Sequence, residues 1–518
     1  MRLFNCVRSI YSLCIFTKFG DKVQKPFTLG LFMLLVLVGC SSSKKSSEAD
    51  TVSAPLVTAV TASDGRGRPS GGLRYDVNEF GYEEHEYFFE GTANAYSSEV
   101  GEPAPYRSRM IVWTPKDPSR FNGTTYVEWA HVSIGAFELT YELKTLSPML
   151  EEQGFAFVLI SAQERGVCGI EDEQCSANSL RGVDPERYDT LSHPGDDYSF
   201  DIFNQALHAI KYPSGVAPLG DLDTQFIIAG GYQPARYRNS VEDDPSRETL
   251  PYGGVGPLNG YLAHESSQVR LADAFLLDSA APRVEPDEYP GPTLHLLDES
   301  AVRRVPAPNS SNHITWEVVG STHIDRWSLD QFKVPAPGPL TPLLNRAEEE
   351  ISRARFDDYG QAAGTVEVAC STQYPRQYAL RAGLVALNEW LVTGIRPAEP
   401  AFIERVATPP ESVTMKLVHD SYGTAVGGFR SPIIEVPVAG YNGEDCGITG
   451  TMSPYSTVQL AALYPTHQSY VEQLLVATDE AVANRTLNCS DAEIIMRKAS
   501  TSVIGGSDMF TAVPMCSQ

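Results

Sequence analysis

An α/β fold with a mostly parallel central sheet flanked by helices is predicted by three observations. Strand-like and helix-like patterns alternate along most of the chain. Several of the strand patterns are wholly apolar, as in a sheet covered on both faces. The residues able to carry chemistry fall in the turns that follow such strands. A chain of 518 residues with 42% hydrophobic and 20% charged residues can bury a large core, which excludes a disordered chain, a collagen and a polytopic membrane protein.

The elements follow in order. Residues 107–114 (RSRMIVWT), 124–132 (TTYVEWAHV) and 155–161 (FAFVLIS) are β-branched and aromatic runs bounded by Pro, Gly and Asn, hence strands. Residues 199–211 (SFDIFNQALHAIK) put Ile202, Phe203, Ala206, Leu207 and Ile210 on one helical face. Further strands are expected at 226–229 (FIIA), 274–278 (AFLLD), 293–297 (TLHLL) and 315–319 (TWEVV). Residues 331–430 hold Pro-rich insertions and a helical stretch at 378–392, and one long helix is expected from about 454 to 483. The carboxy-terminal part is therefore helical, and no internal repeat is visible.

The amino terminus reads as an address. Residues 1–39 carry five basic residues against one acid and end in the apolar run 27–38, which is short for a bilayer crossing of about 20 residues. That run stops at Leu37-Val38-Gly39-Cys40, which resembles the lipobox of bacterial lipoproteins, where cleavage before the cysteine frees a thiol for lipid attachment. An uncleaved anchor, or a start codon further in, is the alternative reading of the long basic region. Residues 40–56 then form a flexible tether, 57–500 the folded domain with its insertions and 501–518 a tail. Ser41 rather than Asp after the cysteine resembles outer-membrane sorting. The expected partners are a membrane, through the lipid, and a small acyl substrate.

A formal charge of −25 and a pI near 4.8, without clustered Lys or Arg, exclude nucleic acid. Beyond Cys40 lie Cys168, Cys175, Cys370, Cys446, Cys489 and Cys516, an even number that favours disulfides in an exported chain. Cys168 and Cys175 are spaced to close a small loop, and the other four allow three pairings. Neither paired CxxC nor HExxH is present, so no metal and no cofactor is expected.

Three turns then stand out. Gly230-Gly231-Tyr232-Gln233-Pro234 follows the strand 226–229, Glu299 follows 293–297, and Gly320-Ser321-Thr322-His323-Ile324-Asp325 follows 315–319. A strand-to-helix elbow, then an acid, then a histidine is the chain order of α/β hydrolases. Asp298 competes with Glu299 for the acid place, and His323 and Asp325 could equally form a loop hydrogen bond. His131 could line the oxyanion side or pack at its strand end; the segment 192–197 looks metal-like, but Asp197 or Ser199 reads better as a helix N-cap. Ser240 is a weak candidate for a displaced nucleophile, about two helical turns past the elbow.

The stretches 86–93 (EYFFEGTA), 121–124 (FNGT) leading to Val127-Glu128-Trp129, 191–196 (LSHPGD), 199–203 (SFDIF), 320–325, 460–465 (LAALYP) and Tyr470-Val471 together resemble a family of bacterial α/β-hydrolase-domain proteins of poorly defined substrate. The resemblance spans most of 85–500. It implies an α/β-hydrolase sheet, an esterase-like activity on a carboxylic ester or related acyl compound, His323 in the catalytic histidine place and Glu299 in an acid place. The family's Gly-x-Ser-Gln-Ser elbow falls on Gly230-Gly231-Tyr232-Gln233-Pro234, so Tyr232 stands where the nucleophilic serine is expected and Gln233 supplies an oxyanion N–H. A phenol, with an ordinary pKa near 10 and an oxygen several ångströms further out, does not simply replace a serine. Loss of the nucleophile from such a triad costs on the order of a millionfold in kcat. An inactive pseudohydrolase that binds a ligand or partner is thus the alternative.

Overall fold

The computed structural model describes residues 52–61, 67–95, 102–132, 138, 140–169, 175–230, 274–278, 291–302, 308–326, 370, 372–407, 415–447 and 449–506. All of them fall in the unit Val52–Gln518, which is described here by itself. The signal segment, Cys40, Tyr232, Gln233 and Ser240 lie outside the described residues. Among those described, no helix is long and apolar enough to cross a membrane, and no cluster of His, Cys, Asp and Glu could hold a metal ion.

One nine-stranded sheet organises the unit. Its strands are β1 (Leu56–Val60), β2 (Tyr82–Ala93), β3 (Ala104–Pro115), β4 (Thr124–Trp129), β5 (Ala156–Ile160), β6 (Phe226–Gly230), β7 (Ala274–Asp278), β8 (Thr293–Asp298) and β9 (His313–Val318). They lie in the order β1-β2-β3-β5-β4-β6-β7-β8-β9. The first three, and the β3–β5 pair, are antiparallel; from β5 to β9 every neighbour is parallel. The chain ends of β4, β6, β8 and β9 therefore open on one edge of the sheet. That edge is where ligands of open α/β sheets bind.

Alternation along the strands explains why both faces need helices. In β4 and β5, Tyr126 and Phe157 face one apolar cluster, and Val127 and Val158 face the other. The helix Tyr141–Gln153 (α1) contributes Leu143, Leu146 and Leu150 to the first cluster, and Ser199–Lys211 (α2) contributes Ile202, Phe203, Ala206 and Ile210 to the second. The helix Gln377–Thr393 (α3) covers β7 and β8 through Leu380, Leu384 and Leu387. Each fully buried apolar side chain of this size is worth roughly 1.5–3 kcal/mol.

Three expectations change. The single helix at 454–483 is instead β11 (Thr451–Pro454), which pairs with β10 (Ala439–Asn442), then helices Thr457–Leu463 (α4) and His467–Ala483 (α5). Pro465 breaks it: the residue before a proline is pushed out of the helical region, and Tyr464 sits at φ −128, ψ 82. Capping boxes at Ser456/Gln459 and Thr466/Ser469 start the two pieces. A further helix, Cys489–Thr501 (α6), lies in a stretch for which no element was expected. Neither Asp197 nor Ser199 caps α2 through its side chain; Asp196 instead accepts from the Glu164 N–H at 2.8 Å and from the Ser199 hydroxyl at 3.2 Å.

Disulfides join Cys168 to Cys175 and Cys370 to Cys446, and Cys489 is also disulfide-bonded. The first closes the small loop expected of it, and the second selects among the pairings left open.

Candidate active site

The edge of the sheet is built from β6 outward. Gly230, the last described residue of β6, lies against the buried Tyr126 of β4: a β-carbon there would come 2.0 Å from the Tyr126 hydroxyl oxygen. Glycine is required at the end of β6 by this contact; residues 231–235, where the sequence predicts an elbow, lie outside the described residues.

On the neighbouring strand, Glu128 is fully buried and its carboxylate accepts the N–H of Leu143, in the first turn of α1. A helix start leaves such N–H groups without partners, and a strand carboxylate meets one here. The connection between β4 and α1 is pinned a second time by Glu138, which accepts from Arg109 at 2.6 Å and from the Ser161 hydroxyl at 2.6 Å. His131, at the exit of β4, is buried. His193 is held by the Ala162 carbonyl at 2.9 Å and accepts the Gly195 N–H at 3.2 Å, and burial pushes its imidazole down to about 4. That places it in the segment 192–197 as a structural histidine rather than a ligand.

β8 ends in two consecutive acids, and the structure gives them different work. The Asp298 carboxylate accepts from the Ser300 hydroxyl and from the Ala301 N–H at 3.1 Å, and its Oδ2 lies 4.0 Å from His323 Nδ1. The Asp298 side chain is 1% exposed and that of His323 17%. At 4.0 Å the two are in ion-pair range but not yet hydrogen-bonded, and catalytic contacts of this kind often close only when substrate binds. Glu299 is fully buried and turns elsewhere: its two carboxylate oxygens accept the N–H groups of Gly320 and Gly443, each at 2.6 Å. Burial pushes its carboxyl up to about 8; the two N–H donors oppose this, and Glu444 and Asp298 add to it.

The structure thus brings Asp298 and His323 together, with Glu299 beside them but on the backbone. Among the described residues Asp298 is the one acid in ion-pair range of the imidazole, and its place at the end of β8 was the signal for it in the sequence. Asp325 is buried as well. A cavity of about 490 Å³, lined by Val438, Met452, Tyr455, Leu460, Tyr464 and Ile504 among others, contains none of these residues.

Comparison with known proteins adds the family. The sequence pattern of the alpha/beta hydrolase domain matches residues 52–497. The chain belongs to that family. No curated protein matches this α/β hydrolase at a significant level. Among solved structures, it is similar to a PEG-bound cold-adapted esterase from an Arctic intertidal metagenomic library at 13% identity, over 42% of this chain and 72% of that one, with a TM-score of 0.21. A putative dienelactone hydrolase from Klebsiella pneumoniae subsp. pneumoniae is also 13% identical, over 43% and 75%, with a TM-score of 0.20. An alpha-beta serine hydrolase homologue from Coxiella burnetii is 10% identical, over 51% and 94%, with a TM-score of 0.21. At such scores the neighbours carry no argument about this hydrolase's own chemistry.

Proposed function

We propose that this α/β hydrolase is an exported protein, lipid-anchored through Cys40 at the bacterial outer membrane, that hydrolyses a carboxylic ester or a related acyl compound. The observation that carries the reading is the approach of Asp298 to His323 on the sheet edge where β6 delivers Gly230. In that arrangement His323 takes the proton of the attacking group and returns it to the leaving group, while Asp298 fixes the imidazole tautomer and stabilises the imidazolium. Backbone N–H groups, that of Gln233 among them, hold the developing oxyanion. Asp298 rather than Glu299 is the acid of this reading. The attacking group is altered, because position 232 is Tyr.

Tyr232 also favours a second reading, a pseudohydrolase that keeps the pocket to hold a ligand or partner. The two part in one experiment. The purified chain is incubated with short- and long-acyl esters and a fluorophosphonate, alongside His323→Ala, Asp298→Asn and Tyr232→Ser. Turnover abolished by His323→Ala supports the hydrolase; no turnover in the wild type but activity in Tyr232→Ser supports a disarmed site. Turnover indifferent to His323 and Asp298 sinks the assignment of both residues.

A further inference from the structure

We infer that Glu299 is a positioning residue that sets where the His323 loop stands relative to Asp298. The inference rests on the acid and base roles proposed above.

Three chain segments meet at its side chain. Glu299 leaves β8; Gly320 lies in the turn after β9, three residues before His323; Gly443 follows β10. The carboxylate bridges the last two with a 2.6 Å contact to each N–H, and the Glu299 N–H itself reaches the Ser321 carbonyl at 3.2 Å. Both donors sit on glycines with no room for a side chain. Gly320 is in the left-handed region at φ 76, where a β-carbon would come 2.8 Å from Tyr441 Cβ, and one on Gly443 would come 1.9 Å from the Ser321 carbonyl oxygen.

The far side of the loop is held independently. Arg326 donates its N–H to the Thr372 carbonyl at 2.9 Å, and Thr372 donates to the Thr449 carbonyl at 3.0 Å. Arg376 reaches the His323 carbonyl at 3.4 Å, and the Cys370–Cys446 disulfide joins the segments of Thr372 and Thr449. On the near side, the Glu299 contacts hold the Gly320 end of residues 320–323, together with the Ser321 hydroxyl, which donates to the Val318 carbonyl at 2.6 Å. Consecutive residues at a strand end point opposite ways, so one acid faces the imidazole while the next holds its backbone.

The chemistry of the side chain gives a specific test. Both oxygens of a carboxyl keep a lone pair for an N–H in either protonation state, whereas a glutamine offers one acceptor and turns an NH₂ toward the second donor. Glu299→Gln therefore loses one contact and opposes the other N–H. Glu299→Asp keeps a carboxyl but is one methylene too short to span both.

The test uses the full-length chain with its histidines ¹³C-labelled and His323→Gln to assign the His323 resonance. Two quantities are followed in wild type, Glu299→Gln and Glu299→Asp: the His323 titration midpoint and ester turnover. A misplacement of about 1 Å costs up to a hundredfold in rate. Turnover is therefore expected to fall at least about tenfold in kcat with KM within about twofold, and the His323 midpoint to move by about half a unit or more. If either folded variant melts earlier but leaves both the midpoint and kcat unchanged, Glu299 is merely structural and the inference is overturned. The titration needs no substrate, so a wild-type chain without turnover defeats the hydrolase reading while the midpoint still decides this one.

Discussion

Arg109 on β3 offers a sharp test of how the site is supported. It is fully buried and meets two carboxylates, Glu86 at 3.0 Å and Glu138 at 2.6 Å, with its Nε on the Ser161 hydroxyl at 2.9 Å. Glu86 has a second cation in Arg187 at 2.6 Å and a phenol in Tyr188 at 2.9 Å. Glu138 has no such reserve among the described residues: its other side-chain partner there is Ser161, and its Oε1 is buried without a hydrogen bond. Arg109→Met would leave that carboxylate charged and dry. Removing one partner of a buried pair costs about 3–5 kcal/mol. For a unit of this size, with an unfolding entropy near 1 kcal/mol/K, the melting temperature should fall by about 3–5 °C. Adding Glu138→Gln to Arg109→Met removes the stranded charge and should recover about half the loss, a coupling of at least about 2 kcal/mol once the cost of Glu138→Gln alone is included. Urea denaturation followed by tryptophan fluorescence measures both. Should Arg109→Met cost under about 1 kcal/mol, or the two changes simply add, the cluster is reached by water and does not anchor the connection between β4 and α1.

Three further outcomes are expected. Gly230→Ala drives a methyl into the Tyr126 phenol and should destabilise by about 1–3 kcal/mol, with Tyr126→Phe partly restoring the loss; an alanine variant as stable as wild type would show that β6 does not approach β4 so closely. Glu299 is raised from the ordinary carboxyl range to about 8, so its contribution is fully present below about pH 4 and is lost as pH rises through about 8; over that window the stability of wild type should fall by about 4 kcal/mol relative to Glu299→Gln in denaturant titrations, and parallel curves would contradict it. Replacing Cys370 and Cys446 by serine opens a loop of 76 residues' separation and should cost about 4 kcal/mol by chain entropy, seen as a lowered urea midpoint that reductant shifts less than it shifts that of the wild type, since the Cys168–Cys175 bridge and that of Cys489 remain.

Strand positions were legible because a side-chain period of two and β-branched composition are local properties. The helix Ser199–Lys211 was legible to its bounds, since its apolar face repeats at helical spacing and Gly and Pro lie outside it. The break at Pro465 was hidden by apolar spacing that runs on through α4 and α5, where one backbone constraint outweighs the pattern. β2 was missed as a strand because Glu83, Glu84, Glu86 and Glu90 interrupt its pattern, and the cations that neutralise Glu86 lie on other elements, Arg109 on β3 and Arg187 about a hundred residues away.

What the sequence by itself determined is the α/β class, most of the strands and the placing of Asp298, Glu299 and His323 at or just beyond strand ends, all set by spacing along the chain. Only the tertiary structure decided which of two adjacent acids faces the imidazole. Asp298 and Glu299 are equivalent in composition, and their directions follow from how β8 ends beside a turn twenty residues later. The same holds for the buried charges of Arg109 and Glu138: a carboxylate is sealed from water by neighbours that distant parts of the chain bring to it.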